Sequence, residues 1–228
     1  MIAEWFKDKD PFLSRTEIIL DNTVHMTYDC TGKCDAEKLK MIEKIFDLNC
    51  YYEGFKAIVF CWTRNTVDEM YRKITSMGYN CSRYHSNVPD DEKEEQYKKF
   101  IKGDTKVLIS TDLIVRNINI DNISLVVNYD LPMTKDNTDA WVLSPITYVH
   151  RTGRAGRYGR RCLSMTIMEK EKDKENMDKI KEYVNKKFQK VQFREVDLKS
   201  LDTCVMEHLK DDHADTEVEK ESQEVMIT

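Results

Sequence analysis

The chain has 228 residues and a formal net charge of −5, which is enough sequence for one sizeable core. Its longest apolar run, Ala57–Trp62, is far shorter than the roughly 20 residues that cross a bilayer, which excludes a helical membrane-spanning protein. Seven scattered cysteines indicate reduced thiols, and we expect a soluble protein of the cytoplasm or nucleus with no membrane partner.

Short apolar runs alternate with helical patterns along the chain, which is typical of an α/β protein whose parallel sheet carries helices on both faces. The predicted strands are Val24–Tyr28, Ala57–Cys61, Cys81–Tyr84, Lys106–Ser110, Ile123–Asn128 and Cys162–Ile167. The predicted helices are Asp35–Asp47, Thr66–Met77, Asp90–Ile101, Thr147–Ala155 and Glu171–Lys187. Glycine favours the position just after a helix, so Gly78 and Gly103 are expected to end the second and third of these helices.

Composition divides the chain into three parts. Residues 1–20 are predicted to be a linker with the remnant of something upstream, residues 21–192 the folded domain, and residues 193–228 an extension with an acidic, disordered tail. The residues from Val205 onward carry a net charge of −6. Since the whole chain carries −5, the residues before Val205 carry +1. Within the domain, the polar segment Pro132–Tyr148 is predicted to be an insertion loop on the surface.

Residues 150–161, with the sequence HRTGRAGRYGRR, contain five arginines and three glycines. Arginine presents a planar fork that binds two phosphate oxygens and stays charged, so the cluster indicates phosphate recognition. Arg154 and Arg157 are three positions apart, a spacing that on a helix places both side chains on one face. From these residues alone two interpretations stay open: a pair of arginine fingers, or a basic loop that binds RNA or an anionic surface without chemistry.

Polar segments follow three of the predicted strands: Trp62–Arg64, Ser110–Asp112 and the loop after Tyr84. The carboxyl ends of parallel strands meet at one edge of the sheet, where α/β proteins bind their ligands. Each segment alone fits either ligand binding or an ordinary polar strand end.

The signatures with which an α/β enzyme usually holds a nucleotide are missing from the sequence. It has no GxxxxGK[ST] segment, no GxGxxG after a strand and no obvious pair of carboxylates to hold magnesium. Because an arginine finger often acts on a nucleotide held by another domain, the chain fits the finger-bearing half of a two-part ATPase.

Five segments occur in a characteristic order: IVFCWTR (58–64), YHSNVPDDEK (84–93), KVLISTDLIVRNINI (106–120), VVNYDLP (126–132) and YVHRTGRAGR (148–157). Over roughly residues 20–190 this series closely resembles the second RecA-like domain of DEAD-box ATP-dependent RNA helicases. The resemblance implies a RecA-like parallel sheet and a role as the C-terminal motor domain of such a helicase. Residues 1–20 are similar to the end of a first domain followed by the interdomain linker.

The resemblance also implies roles for individual residues. The γ-phosphate of ATP would be reached by Arg154 and Arg157. ATP or the domain interface would be contacted by Asn117, Asn119, Asp130, His150 and Arg151. The RNA backbone would be held by Thr63, Arg64, Ser86, Lys93 and Thr111. ATP and its magnesium would be held mainly by a first domain outside this chain, so the chain alone is expected to be inactive.

The stretch between Asp130 and Tyr148 is longer than in most members of the family. The messenger-RNA export helicases carry a DKDG-like insertion there, similar to Thr134–Asn137, so the resemblance extends to the export branch. It implies four partners: RNA, the first RecA-like domain, a nucleoporin and an inositol-phosphate-dependent activator. It also implies action at the nuclear pore.

Two motifs depart from the family pattern. Ser86, Asp90 and Lys93 stand where the family has glycine, glutamine and arginine. The serine hinders a close approach of the ligand to the backbone, and the lysine cannot make the forked phosphate contact of an arginine. Asn117 replaces glycine, and Asn119 replaces an aspartate, so it keeps a hydrogen bond to ribose but loses the negative charge. Two explanations stay open: an active helicase with a weaker grip on RNA, or a degenerate, non-catalytic RNA- or protein-binding adaptor on the same fold.

Overall fold

The structure, a computed structural model, describes residues 23–33, 35–51, 55–112, 123–155, 161–188 and 191–207. The strands are β1 (Thr23–Asp29), β2 (Ala57–Phe60), β3 (Cys81–Tyr84), β4 (Val107–Ser110), β5 (Leu125–Asn128), β6 (Met133–Lys135), β7 (Trp141–Leu143), β8 (Cys162–Met168) and β9 (Phe193–Glu195). The helices are α1 (Asp35–Tyr51), α2 (Arg64–Ser76), α3 (Asp90–Lys102), α4 (Pro145–Thr152) and α5 (Glu171–Lys187), followed by helical residues 200–207, here α6.

Seven of the strands form one sheet in the order β3-β4-β2-β5-β8-β1-β9, and every neighbouring pair in it is parallel. The central strands β2 (AIVF), β4 (VLIS) and β5 (LVVN) are nearly continuous apolar runs because helices cover both faces. On β2, Ala57 and Val59 belong to the core that also contains residues of α1 and α2, while Ile58 and Phe60 belong to the core with α3. The predicted fold class, an α/β sheet covered on both faces, is confirmed.

The third helix ends as the sequence predicts. Gly103 follows α3 with a φ of +88°, a left-handed conformation that glycine adopts without a steric penalty. A Cβ atom added at Gly103 would meet no heavy atom within 4 Å, so this position requires glycine for its backbone alone. Gly78, at φ +89°, lies one residue beyond the capping residue Met77 of α2.

Two sequence predictions need correction. The segment Pro132–Tyr148 lies at the surface, but it contains the antiparallel hairpin β6–β7 and the start of α4 rather than a loop alone. The sheet also continues past residue 192, since β9 pairs with β1 and Leu201 and Val205 pack in the main core. Within the described part of the chain, no helix is long and apolar enough to span a membrane.

Candidate functional site at the carboxyl edge of the sheet

Arg151 on α4 is fully buried and joins this helix to the ends of two strands. Its Nε and Nη2 atoms donate to both carboxylate oxygens of Asp112 after β4, with an Nη2–Oδ2 distance of 2.9 Å. Its Nη1 atom donates to the carbonyl of Asp130 at 2.8 Å and to Oδ1 of Asn128 at 3.2 Å. Because this guanidinium has no exposed surface and four bonds within the domain, it acts by holding α4 in place.

Asp130, directly beyond β5, is the centre of a second polar contact. Its carboxylate accepts from the backbone N–H of Trp62 at 2.9 Å and from Nζ of Lys38 at 3.2 Å. The Lys38 side chain is only 6% exposed, and its ammonium also donates to Glu169 at 3.2 Å. Burial lowers the pKa of Lys38, but the two carboxylates outweigh that effect and raise it above its ordinary value. Lys38 therefore stays charged and fixes the orientation of Asp130.

The arginine motif leaves α4 in a tight turn. Ser144 caps the start of the helix with its hydroxyl, which accepts from the N–H of Thr147, and the helix ends at Thr152. Arg154 follows in a narrow turn, with its backbone N–H on the carbonyl of Arg151 at 3.1 Å. Arg154 is 7% exposed, and its Nε donates to the carbonyl of His150 at 3.3 Å. The helix predicted up to Ala155 is thus too long, and helical spacing does not describe Arg154.

Three of the predicted site residues, Asn117, Asn119 and Arg157, lie outside the described residues.

Thr63, Arg64 and Ser86 come together at the other part of this edge. Thr63 caps α2, since its Oγ1 accepts from the backbone N–H of Thr66 at 3.1 Å. The exposed Arg64 guanidinium donates to the Ser86 hydroxyl at 3.3 Å and to the side-chain oxygen of Asn87. Two motifs that are 22 residues apart in the chain therefore form one polar surface.

A buried histidine holds the loop that carries Ser86. His85 is 2% exposed; its Nδ1 accepts from the backbone N–H of Asn87 at 3.3 Å, so its Nε2 carries the hydrogen donated to Asp68 at 3.0 Å. Burial raises the pKa of Asp68, but His85 and Arg83 outweigh it and lower the pKa below its usual value. The arrangement gives His85 a positioning role in this loop.

Thr111 and Lys93 differ in how well they reach this surface. The backbone N–H of Thr111 donates to the carbonyl of Tyr84 at 3.4 Å, which keeps the ends of β4 and β3 side by side. Lys93, on the first turn of α3, forms an ion pair of 2.6 Å with Asp90, whose side chain is 96% exposed. The family pattern has an uncharged glutamine at the position of Asp90. In this chain Asp90 therefore gives the charge of Lys93 a partner within the domain.

Comparison with known proteins identifies this arrangement. The family model for the helicase conserved C-terminal domain matches residues 37–159, more than half of the chain. The chain is a C-terminal helicase domain of the DEAD-box family. The predicted family is therefore confirmed.

Relatives and solved structures place the helicase domain near the Dbp5 branch. It is 34% identical over 173 residues to the ATP-dependent RNA helicase DBP5 of Meyerozyma guilliermondii, covering 76% of this chain and 34% of the relative. The structure of S. cerevisiae Dbp5 bound to RNA and ADP BeF3 matches with a TM-score of 0.68 and 29% identity, over 83% of this chain and 45% of that chain. A variant of S. cerevisiae Dbp5 bound to Nup159, a Gle1 variant, IP6 and ADP matches with a TM-score of 0.60 and 26% identity, over 84% of this chain and 47% of that chain. The helicase domain spans about a third of the length of the relatives it matches.

Sequence reasoning missed Lys38 as part of the site in this helicase domain. A signal for it exists: Lys38 shares helical spacing with the buried residues Met41, Ile42 and Ile45 of α1, so it lies on the face that packs against the sheet. A lysine on such a face must find an anionic partner. That partner is Asp130, 92 residues away, which no local pattern reveals.

Proposed function

We propose that this helicase domain is the C-terminal motor half of an ATP-dependent RNA helicase. It would supply Arg154 and Arg157 to ATP held by a first RecA-like domain, together with half of an RNA-backbone site. Since Arg154 is 7% exposed, its side chain would have to leave the His150 carbonyl to reach that nucleotide. The supporting observation is that Arg151 anchors α4, directly before Arg154, to the same sheet edge at which Arg64 meets Ser86. Closing a first domain against this edge would engage both surfaces at once.

The arginine motif would act on the charge that develops on the transferred phosphoryl group. A guanidinium supplied from a second domain contributes on the order of 10³ to 10⁵ in rate in related phosphoryl-transfer enzymes. Asn117 and Asn119 would contact the nucleotide, while Asp130 and His150 would face the first domain. ATP and its magnesium would be held mainly by the first domain, as the resemblance to the family implies.

The RNA half of the site would consist of Thr63, Arg64, Ser86 and Thr111, with a smaller contribution from Lys93. These groups suit phosphate oxygens: a helix start, an exposed guanidinium and hydroxyls. Few phosphate contacts give weak binding, and because these contacts are electrostatic, log K falls with log salt by about 0.7 for each phosphate bound. We therefore expect RNA binding by this chain alone to be weak and strongly salt-dependent.

We further propose a role in messenger-RNA export at the nuclear pore, with a nucleoporin and an inositol-phosphate-dependent activator as partners. Support comes from relatives: S. cerevisiae Dbp5 has been solved with RNA and, as a variant, with Nup159, Gle1 and IP6. The test is binding of this chain to the corresponding nucleoporin and to the activator, each with and without IP6. Absence of binding in all cases would refute the export assignment while leaving the motor assignment intact.

The test of the motor function fuses the chain to the first RecA-like domain of a Dbp5-type helicase and measures RNA-stimulated ATP hydrolysis. Arg154→Ala and Arg157→Ala are each expected to lower the rate by about 10³-fold or more. Arg161→Ala, a neighbouring arginine of the same cluster, is the matched control and is expected to hydrolyse ATP at the wild-type rate. Equal rates for all four proteins would refute the finger assignment.

A non-catalytic RNA- or protein-binding adaptor is the second candidate. The Lys93–Asp90 ion pair favours a departure from the motor function, because this pair takes up a cation that would otherwise bind RNA. Fusion to a competent first domain distinguishes the two. A fusion that binds RNA tightly and insensitively to salt but hydrolyses no ATP would support the adaptor.

A further inference from the structure

Two large aromatic side chains lie exposed and in contact beside the proposed RNA surface. Trp62, which immediately precedes Thr63 and Arg64, is 39% exposed, and Trp141 on β7 is 51% exposed. Their ring centroids are 5.1 Å apart at an interplanar angle of 88°, an edge-to-face pair. Neither ring is needed to fill a core, so the pair presents aromatic surface to solvent.

We propose that Trp62 and Trp141 form a platform on which a base of the bound RNA stacks. The platform would add a base contact to the backbone contacts of Thr63 and Arg64, so it rests on the proposed RNA-binding function. Stacking on an aromatic side chain is tolerant of sequence, because every base has a π face. The ligand class is therefore single-stranded RNA with unpaired bases, not a particular sequence.

The platform is held rigid by contacts on both sides. The backbone N–H of Trp62 donates to Asp130, whose carboxylate is itself fixed by Lys38. The hairpin that carries Trp141 is closed by backbone bonds at both ends: the N–H of Asp136 donates to the carbonyl of Ala140, and the N–H of Ser144 to the carbonyl of Pro132, each at 2.9 Å. A preorganised aromatic pair loses little conformational entropy when a base binds.

The charged residues of the hairpin are Lys135, Asp136 and Asp139, a net charge of −1, so stacking on the indoles rather than charge would hold a base there. Nζ of Lys135 lies 5.7 Å from the centre of the Trp141 ring. Asp139 is paired with this lysine at 2.7 Å. The Oδ1 atom of Asp136 accepts three hydrogen bonds from Thr138 and Ala140 within its own loop. Both carboxylates are thus engaged inside the hairpin.

The size of the apolar surface favours a base over a protein partner. Besides the two indoles, Val142 is the exposed large apolar residue of this hairpin, at 37%. A stable protein interface buries about 800 Å² on each partner, far more than two partly exposed rings and one valine provide. The residues next to Trp62 in the chain are polar and suited to phosphate, which places base and backbone contacts side by side.

The experiment measures binding of the complete chain to a short oligouridine and to the same backbone without bases. Trp62→Leu and Trp141→Leu keep apolar bulk but remove the π face, while Trp62→Phe and Trp141→Phe keep a ring. We expect each leucine variant to bind oligouridine about 5-fold to 150-fold more weakly, the phenylalanine variants to lie near wild type, and all to bind the abasic strand alike. Thermal unfolding midpoints check that the variants fold.

Salt dependence separates the platform from the backbone site. Arg64→Ala should reduce the slope of log K against log salt by about 0.7 for each phosphate that the variant no longer binds, whereas the leucine variants should leave the slope unchanged. Equal affinity of wild type and leucine variants for oligouridine would overturn the platform and leave the RNA function standing. If wild type bound neither strand at low salt, the proposed RNA function itself would be refuted. Equal affinity of wild type for both strands would also overturn the platform.

Discussion

Removing Asp112 should destabilise the domain far more than removing an exposed carboxylate. Asp112→Ala leaves the fully buried Arg151 with two guanidinium N–H groups that have no acceptor, and arginine cannot release its proton. Breaking a buried ion pair costs about 3 to 5 kcal/mol. The Asp112 side chain is 31% exposed, so water can enter its place, and we expect about 3 kcal/mol, near the lower limit.

Urea unfolding followed by circular dichroism measures this cost, with the slope m compared between proteins. The matched control is Glu69→Ala on α2, which removes an ion pair with Lys73 whose two side chains are 59% and 51% exposed. It is expected to leave the free energy of unfolding close to the wild-type value, because an exposed ion pair is screened by water. Arg151→Met should lower the free energy of unfolding less in the Asp112→Ala variant than in wild type, because in the variant it removes an unpaired cation. Equal unfolding free energies for Asp112→Ala and Glu69→Ala would refute the reasoning.

Three further predictions concern stability. Lys38→Met leaves two carboxylates without their cation and should lower the free energy of unfolding by about 2 kcal/mol. Folding raises the pKa of Lys38, so its contribution to stability is complete below the pKa of the unfolded chain, near 10.5, and is lost as pH rises through the pKa of the folded protein. The gap between the urea midpoints of wild type and Lys38→Met should therefore shrink above that pH, and a constant gap would contradict this. Gly103→Ala should cost about 1 to 2 kcal/mol and Gly103→Asn clearly less, because asparagine tolerates a positive φ; equal thermal midpoints would count against it. Burial raises the pKa of Tyr148 to about 12, and Tyr148→Phe should cost about 1 to 2 kcal/mol by removing the hydroxyl partner of His25. Absorbance titration should show wild type and variant ionising alike up to about pH 11 and one tyrosine fewer in the variant near pH 12, and a difference already near pH 10 would refute the assignment.

The strands were predictable because a strand that is buried on both faces of the sheet consists mostly of apolar residues. All six predicted strands and all five predicted helices occur, and α5 has the predicted bounds Glu171–Lys187. The hairpin β6–β7 was missed because its strands lie on the surface and show no alternation of apolar and polar residues. Strand β9, Phe193–Glu195, was missed because three residues carry too little pattern to be distinguished from a polar linker.

The site was predictable only in its list of residues. The sequence motifs placed Arg64 and Ser86 at strand ends, but not in hydrogen-bond contact. Nor did they reveal that Arg151 is buried, because an arginine in a basic segment is expected to face solvent. Its burial depends on Asp112 and Asn128, which precede it by 39 and 23 residues and meet it only when the sheet forms.

The position of β1 constrains how this chain can be made. β1 lies between β8 and β9, so His25 is paired beside Ser164 on one side and Phe193 on the other. During synthesis at about 5 to 20 residues per second, β1 therefore waits on the order of ten seconds with both hydrogen-bonding edges open. Pairings between distant parts of a chain are slow to form and leave such edges open to association with other chains. We expect the nascent domain to depend on chaperones until β9 has left the ribosome.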